Sequence, residues 1–291
     1  MTVHDGNGWT RCSRGHRHWG RHGAAGLLVT ALDPDGAPAV LLQQRSSWGS
    51  HGGAWGPPGG ARDSHESELH AAMREAEEEC AIDSTQVVVH GVLRDDHGGW
   101  TYRTVLASAP ALLAAYSVSE ETKKVAWVPA RDVALRRLHP GFAEQWEALR
   151  TVLLPLTIIV DAANVMGSRP DGWWRDRAGA ATRLINQLAE LAAKGVTSLP
   201  DSVDVPELER WFPVYVVVLE GAAVVAPDPV QAEARGLRVV RAAGSGDDEI
   251  ARLAGDLPEP ALVITADREL RERCEKAGAS VAGPRWLLDL L

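Results

Sequence analysis

Four glutamates occupy five consecutive positions in the run Arg74-Glu75-Ala76-Glu77-Glu78-Glu79. The stretch from Glu66 to Glu79 holds good helix formers and no glycine or proline, which predicts a helix. On that helix Glu75, Glu78 and Glu79 fall at i, i+3 and i+4, so their carboxylates share one face, with Glu77 crowding them further. Like charges at this spacing cost about 0.2–0.5 kcal/mol per pair. A divalent cation on that face would offset the repulsion, and all-oxygen donors favour Mg2+ or Mn2+ over Zn2+. The plainer alternative is a solvated acidic face with no chemistry.

Spacing separates the two. Gly60 is followed by five residues, Glu66, seven residues, and then Arg74-Glu75-Ala76-Glu77-Glu78-Glu79-Cys80-Ala81-Ile82. This resembles the Nudix hydrolase box, in which Ala81 stands where the family usually has glycine; that glycine ends the helix and is not a ligand. The lead-in Trp55-Gly-Pro-Pro-Gly-Gly60 is similar to the family's, with Pro57 at a position more often aliphatic. The resemblance runs over about residues 15–150, through Val125-Ala-Trp-Val-Pro129. It implies an α/β/α sandwich with a mixed sheet, and metal-dependent hydrolysis of a nucleoside diphosphate linked to a further group. It also implies that Glu75, Glu78 and Glu79 are metal ligands or the base, that Arg74 holds Glu75, that the Gly60 carbonyl is a ligand, and that Glu66 supports them. Glu120 and Glu121 are candidates for an additional distal acid. Gln43, Gln44 and Arg45, at the end of a predicted strand beside the box, either contact substrate or form a polar strand end.

A second set of carboxylates lies in the other half. Leu156-Thr-Ile-Ile-Val, Val214-Tyr-Val-Val-Val-Leu, Leu237-Arg-Val-Val and Ala261-Leu-Val-Ile-Thr read as strands buried on both faces. Helical segments near 176–194, 247–253 and 268–277 separate them, which predicts a parallel, doubly wound sheet. Such sheets bind ligands at the carboxyl ends of their strands, where Asp161, Asp247, Asp248 and Asp267 fall. Converging there, they suit metal-assisted phosphodiester hydrolysis; individually, each also suits a helix N-cap. The run Val160-Asp-Ala-Ala-Asn-Val-Met-Gly-Ser-Arg-Pro-Asp-Gly-Trp-Trp-Arg-Asp176, with Gly244-Ser-Gly-Asp-Asp and Thr265-Ala-Asp, resembles the NYN or PIN-like nuclease family. That resemblance implies that Asp161, Asp247, Asp248 and Asp267 hold Mg2+ or Mn2+, with Asn164 supporting Asp161 and Glu220 and Asp176 as additions. Trp173 and Trp174 with Arg175 either stack on unpaired bases of single-stranded RNA or cover a domain boundary. The unit then serves as a ribonuclease, or as a non-catalytic RNA-binding or dimerising module.

The elements that must position these residues follow from the pattern. In the first half, strands at 24–30 and 38–44 flank the turn Asp33-Pro-Asp-Gly36, giving a hairpin. Further strands are predicted at 86–89, 102–106 and 125–128, with a helix at 142–151. The change of rhythm places the boundary near Leu153, giving domains of residues 1–153 and 154–291 within a 291-residue chain. The net charge of −9 divides into −3 for residues 1–156 (15 basic, 18 acidic) and −6 for residues 157–291 (15 basic, 21 acidic), so neither half is a basic module. The longest apolar stretch is too short to span a membrane, and the N-terminus lacks a signal pattern. Cys12, Cys80 and Cys274, odd in number and far apart, fit a reducing cytoplasm. Cys12, His16, His18 and His22 match no closed four-ligand zinc spacing and read as solvated loop residues. The expected protein is a cytoplasmic, metal-dependent hydrolase with a nucleotide substrate and no membrane partner; the sequence names no oligomeric state.

Overall fold

The computed structural model describes residues 4–48, 51–170, 172–228, 236–257 and 260–291. Met1-Thr2-Val3 and Asp171, which enter the sequence reading, lie outside the described residues. The chain gathers into two compact units, one of Met1–Leu153 with Pro206–Glu209, the other of Leu154–Val205 with Arg210–Leu291.

The first unit opens with a short antiparallel ribbon, β1 (Trp9–Arg11) and β2 (Arg17–Trp19), which places His18, expected in a solvated loop, on a strand. Next come β3 (Ala24–Leu32) and β4 (Pro38–Arg45), an antiparallel hairpin closed by Asp33, whose side chain accepts the Asp35 and Ala37 N–H groups. Two short strands, β5 (Trp55–Gly56) and β6 (Gly59–Ala61), precede helix α1 (Glu68–Cys80). The strands β7 (Val88–Asp96), β8 (Thr101–Ser108) and β9 (Thr122–Pro129) and helix α2 (Pro140–Leu149) complete it. The sheet is mixed: β3 runs parallel to β8 and antiparallel to β4 and β6, while β4 carries β5 and β9. Helix α1 buries Ala71, Ala72, Ala76 and Cys80 against Leu27, Val29 and Val105 of the sheet, so its apolar stripe fixes which face its glutamates present.

Local chemistry shifts two boundaries. Helix α1 starts at Glu68 because Ser67 caps it, accepting the His70 N–H at 3.2 Å. The strand expected from Gln86 begins at Val88 because Asp83 caps a 3-10 turn over Ser84–Gln86.

The second unit contains β10 (Thr157–Asp161), α3 (Ala162–Gly167), α4 (Arg177–Lys194), β11 (Arg210–Trp211), β12 (Val214–Leu219), β13 (Leu237–Arg241), α5 (Gly246–Asp256), β14 (Ala261–Ile264), α6 (Arg268–Lys276), β15 (Ser280–Ala282) and α7 (Pro284–Leu288). Five strands form a wholly parallel sheet in the order β13-β12-β10-β14-β15. Ile158, Ile159 and Val160 have no solvent-exposed surface, so both faces of the central strand are covered. The order reverses between β10 and β14, where a doubly wound sheet opens a crevice at its carboxyl edge. Among the described residues no helix is long and apolar enough to cross a membrane, and all three cysteines are buried and unpaired.

Ala81 is the helix C-cap and takes left-handed backbone angles, φ 51° and ψ 28°, while its N–H still bonds Glu77 O. A Cβ in that region costs about 1 kcal/mol relative to glycine. Ala81→Gly is therefore expected to raise the denaturant midpoint of the first unit's transition; an unchanged or lowered midpoint would show that the cap is unstrained.

Candidate active site

Arg74 is the hub of the first unit's polar cluster. Its Nε and Nη2 donate to the two oxygens of Glu66 at 2.8 and 3.0 Å, a bidentate fork. Its Nη1 donates to Glu75 at 2.9 Å and Glu78 at 3.0 Å, and Nη2 also reaches Ala61 O at 3.1 Å. One guanidinium thus ties three carboxylates of α1 and its lead-in to the β6 backbone. The arginine holds the Glu66 carboxyl down at about 2. Glu77 points elsewhere, accepting a hydrogen bond from Ser84.

Glu79 is reached from two other elements. Its Oε2 accepts from Gln43 Nε2 of β4 at 2.6 Å and from the Gly59 N–H of β6 at 2.8 Å. Thr122 at the start of β9 donates to Gln43 Oε1, which leaves the amide nitrogen free to face the carboxylate. Burial, added to the neighbouring Glu75, pushes the Glu79 carboxyl up to about 8 despite these donors. Burial also raises Glu75, against the opposing pull of Arg74. Gly60 backs this group: a Cβ there would lie 2.6 Å from the Glu75 carboxylate and would force that side chain to move.

Gly60, Glu75, Glu78 and Glu79 line one cavity of about 630 Å³. Arg45 and Glu121 also line it, whereas Gln44 turns its amide to Gly53 O. The sequence reading missed His51, Tyr102 and His139 on the cavity wall, and the aromatic Trp9, Trp19 and Trp48. Their one signal was compositional, eleven tryptophans against three tyrosines and two phenylalanines.

The second unit brings Asp161, Glu220, Asp247 and Asp267 to the edge of one cleft of about 450 Å³, with Asn164. Asp161 ends β10, accepts the Asn164 N–H at 3.0 Å and a bond from Thr265 Oγ1 at 2.8 Å, and is raised by burial and by Asp247 and Glu220. Asp247 is raised by burial and by Asp267 and Glu220. The Asn164 side-chain oxygen accepts from Ala266 N, tying the β10 edge to the turn after β14. Asp248 does not line the cleft; it pairs with Arg273 at 2.7 Å, because the helical turn carries its side chain away from Asp247. Asp176 caps α4 through the Gly179 N–H, Arg177 lies over the Trp173 ring, and Trp174 is exposed.

The NUDIX domain profile matches residues 20–151. A Mycobacterium tuberculosis protein named "Putative 8-oxo-dGTP diphosphatase 3" is 46% identical over 160 residues, covering 53% of this chain and 72% of that protein. The chain belongs to the Nudix family. It is a Nudix-type hydrolase, acting on phosphoric anhydride bonds. A Bifidobacterium longum "Nucleoside triphosphate pyrophosphatase/Nudix hydrolase fusion protein" is 38% identical over 149 residues, 50% of this chain and 31% of that one. The crystal structure of a Nudix hydrolase from Mycobacterium smegmatis, RenU, is 44% identical, covering 50% of this chain and 94% of its own, with a TM-score of 0.49. The profile match ends before the parallel sheet begins.

Glu66 ionises at about 2 when folded against 4.5 ordinarily, so its pairing stabilises the Nudix unit fully above pH 4.5 and is lost as pH falls toward 2. Glu66→Gln is expected to remove roughly 2 kcal/mol at neutral pH and to flatten the acid limb of the stability curve. An acid limb with wild-type slope in the variant would contradict the Arg74 pairing.

Proposed function

We propose that the Nudix unit is a Mg2+- or Mn2+-dependent pyrophosphohydrolase of nucleoside diphosphate-linked substrates, with an oxidised purine nucleoside triphosphate as its substrate class and nucleotide clean-up as its role. The carrying observation is the convergence of Gly60, Glu75, Glu78 and Glu79 on one cavity wall behind Arg74. The substrate class is supported by the similarity to the mycobacterial protein named for 8-oxo-dGTP. Three buried, unpaired cysteines support a cytoplasmic setting.

The donor set fits a hard cation. All donors are oxygens, Glu75 and Glu79 are raised by burial and by neighbouring carboxylates, and a cation would relieve both effects. Glu75, Glu78, Glu79 and the Gly60 carbonyl would hold it. A bound divalent cation offsets the charge of the substrate's phosphates and lowers the pKa of the attacking water. Within the protein, Arg74 fixes the rotamers of Glu75 and Glu78, and Gln43 fixes that of Glu79. A glutamate of this cluster accepts the proton of the water as it attacks phosphorus. Arg45 at the cavity edge meets the anionic substrate, and Glu121, close enough to Glu75 to raise it, is positioned as a distal acid.

Glu79→Gln is expected to lower kcat/KM by about two orders of magnitude or more in a Mg2+-dependent assay over a panel of oxidised and ordinary nucleoside triphosphates, nucleotide sugars and dinucleotides. Turnover indifferent to Glu79 would overturn the reading. Because Glu79 keeps its proton up to about pH 8, Mg2+ must displace it. Mg2+ affinity is expected to rise with pH up to about 8, with proton release seen by calorimetry in buffers of different ionisation heat; pH-independent affinity would count against it.

A separate observation favours a second reading for the other unit. Asp161, Glu220, Asp247 and Asp267 gather at the carboxyl edge of the parallel sheet. We propose that this cleft holds Mg2+ or Mn2+ for cleavage of single-stranded RNA, in the manner of the PIN/NYN-like proteins its sequence resembles. The competing use of the same unit is RNA binding or dimerisation without catalysis. Cleavage of single-stranded RNA lost in Asp161→Asn supports the nuclease; binding without cleavage in the wild type selects the module.

A further inference from the structure

Beside the glutamate cavity, whose wall His18 also lines, the fold assembles a cluster that sequence spacing did not reveal. Cys12, His16, His18 and His97 each present a ligand atom, and all four lie within 4.8 Å of one another. His22, which the sequence grouped with the first three, lies instead beside Asp5 at 3.6 Å. The fourth member comes from the turn between β7 and β8, eighty-odd residues along the chain.

Two of the ring nitrogens in this cluster are left without a hydrogen bond. His18 Nε2 and His97 Nδ1 are buried and have no hydrogen-bond partner. Orphaned buried nitrogens are costly unless something else fills them. The other nitrogen of His97, Nε2, lies 3.1 Å from Asp95 Oδ2, an arrangement in which a carboxylate fixes the tautomer and aims the free nitrogen at a metal. His18 is stacked flat on Trp100, centroids 4.0 Å apart, which fixes its ring plane. Cys12 is buried, and the turn after it is closed by the Cys12 N–H donating to His16 O at 3.1 Å and the Gly15 N–H donating to Cys12 O at 2.9 Å.

We propose that Cys12, His16, His18 and His97 form a tetrahedral Zn2+ site. One thiolate and three imidazoles are borderline-soft donors suited to Zn2+ and unlike the all-oxygen set of the glutamate cluster. With bonds of about 2.0–2.3 Å, a tetrahedral ion holds its ligand atoms about 3.3–3.8 Å apart, so the observed envelope closes on the ion with small side-chain rotations. The metal would pin the β1–β2 ribbon to the β7–β8 turn. That ribbon carries Trp9, Arg17 and Trp19 along the wall of the hydrolase cavity, with Arg17 4.8 Å over the Trp9 ring and Trp9 edge-on to Trp19. Zn2+ thereby holds a substrate-facing wall in place without taking part in the phosphate chemistry.

Elemental analysis of the full chain, purified without chelator and dialysed against excess Mg2+, is expected to find one Zn per chain. Replacement by Co2+ is expected to give the intense thiolate-to-cobalt charge-transfer absorption of a tetrahedral site, which the oxygen donors of the glutamate cluster cannot produce. Cys12→Ser is expected to lose that absorption and the bound Zn, while His22→Ala retains both. Asp95→Asn, which leaves every ligand in place, is expected to weaken Zn2+ affinity about 10–100-fold in chelator competition. Stoichiometric Zn that survives both Cys12→Ser and His97→Ala would overturn the assignment. So would wild-type protein that takes up neither Zn2+ nor Co2+ on titration after refolding from chelator.

Discussion

The Arg74 fork is the contact on which the Nudix unit depends. Glu66, Glu75 and Glu78 are brought together by helix periodicity and by the turn before α1, and without a central cation of the protein's own they would force one another apart. A guanidinium suits the task because its planar donors reach two oxygens of Glu66 on one side and two further carboxylates on the other. Glu79 lies beyond its reach, held by an amide and a backbone N–H, and stands as a carboxyl raised by burial. The unit therefore combines one permanently charged support with a cluster whose ionisation is set by burial and by its charged neighbours.

The two units solve the same electrostatic problem on different scaffolds. In the first, carboxylates are stacked along one helix and steadied by an arginine. In the second, they arrive from separate strand ends of a parallel sheet, steadied by Thr265 and the helix-start N–H groups. Among the described residues no arginine lines that cleft, and burial, with the neighbouring acids, raises both Asp161 and Asp247. The zinc cluster differs from both, built from neutral and thiol donors on a ribbon and a turn.

Legibility in the sequence tracked locality. The glutamate helix, the Asp33 hairpin and the buried runs of the parallel sheet were readable because each is written within a dozen residues, in periodicity or turn chemistry. The strand order β13-β12-β10-β14-β15 agrees with the expected doubly wound class. What spacing could not show was anything assembled across the chain. His97 replaces His22 beside Cys12 because β7 and β8 pair, and the cavity's tryptophans and histidines come from loops whose course no short pattern dictates. Pro206–Glu209 packs with the first unit although the chain has already entered the second, an excursion fixed by the Glu209 contacts to Val92 and Arg103. Asp248 follows Asp247 in sequence, yet neighbours on a helix diverge by about 100°, and Asp248 pairs with Arg273 instead.

If the glutamate cluster is a cation site, its crowding is relieved by metal. The direct measurement is unfolding of the wild type and of a Glu75→Gln, Glu79→Gln double variant across a Mg2+ titration. The double variant is expected to be the more stable without Mg2+ and to gain less from it, so that the two curves cross as Mg2+ stabilises the wild type by mass action. A wild type that gains nothing more from Mg2+ than the double variant, or that is already the more stable without it, would contradict the claim.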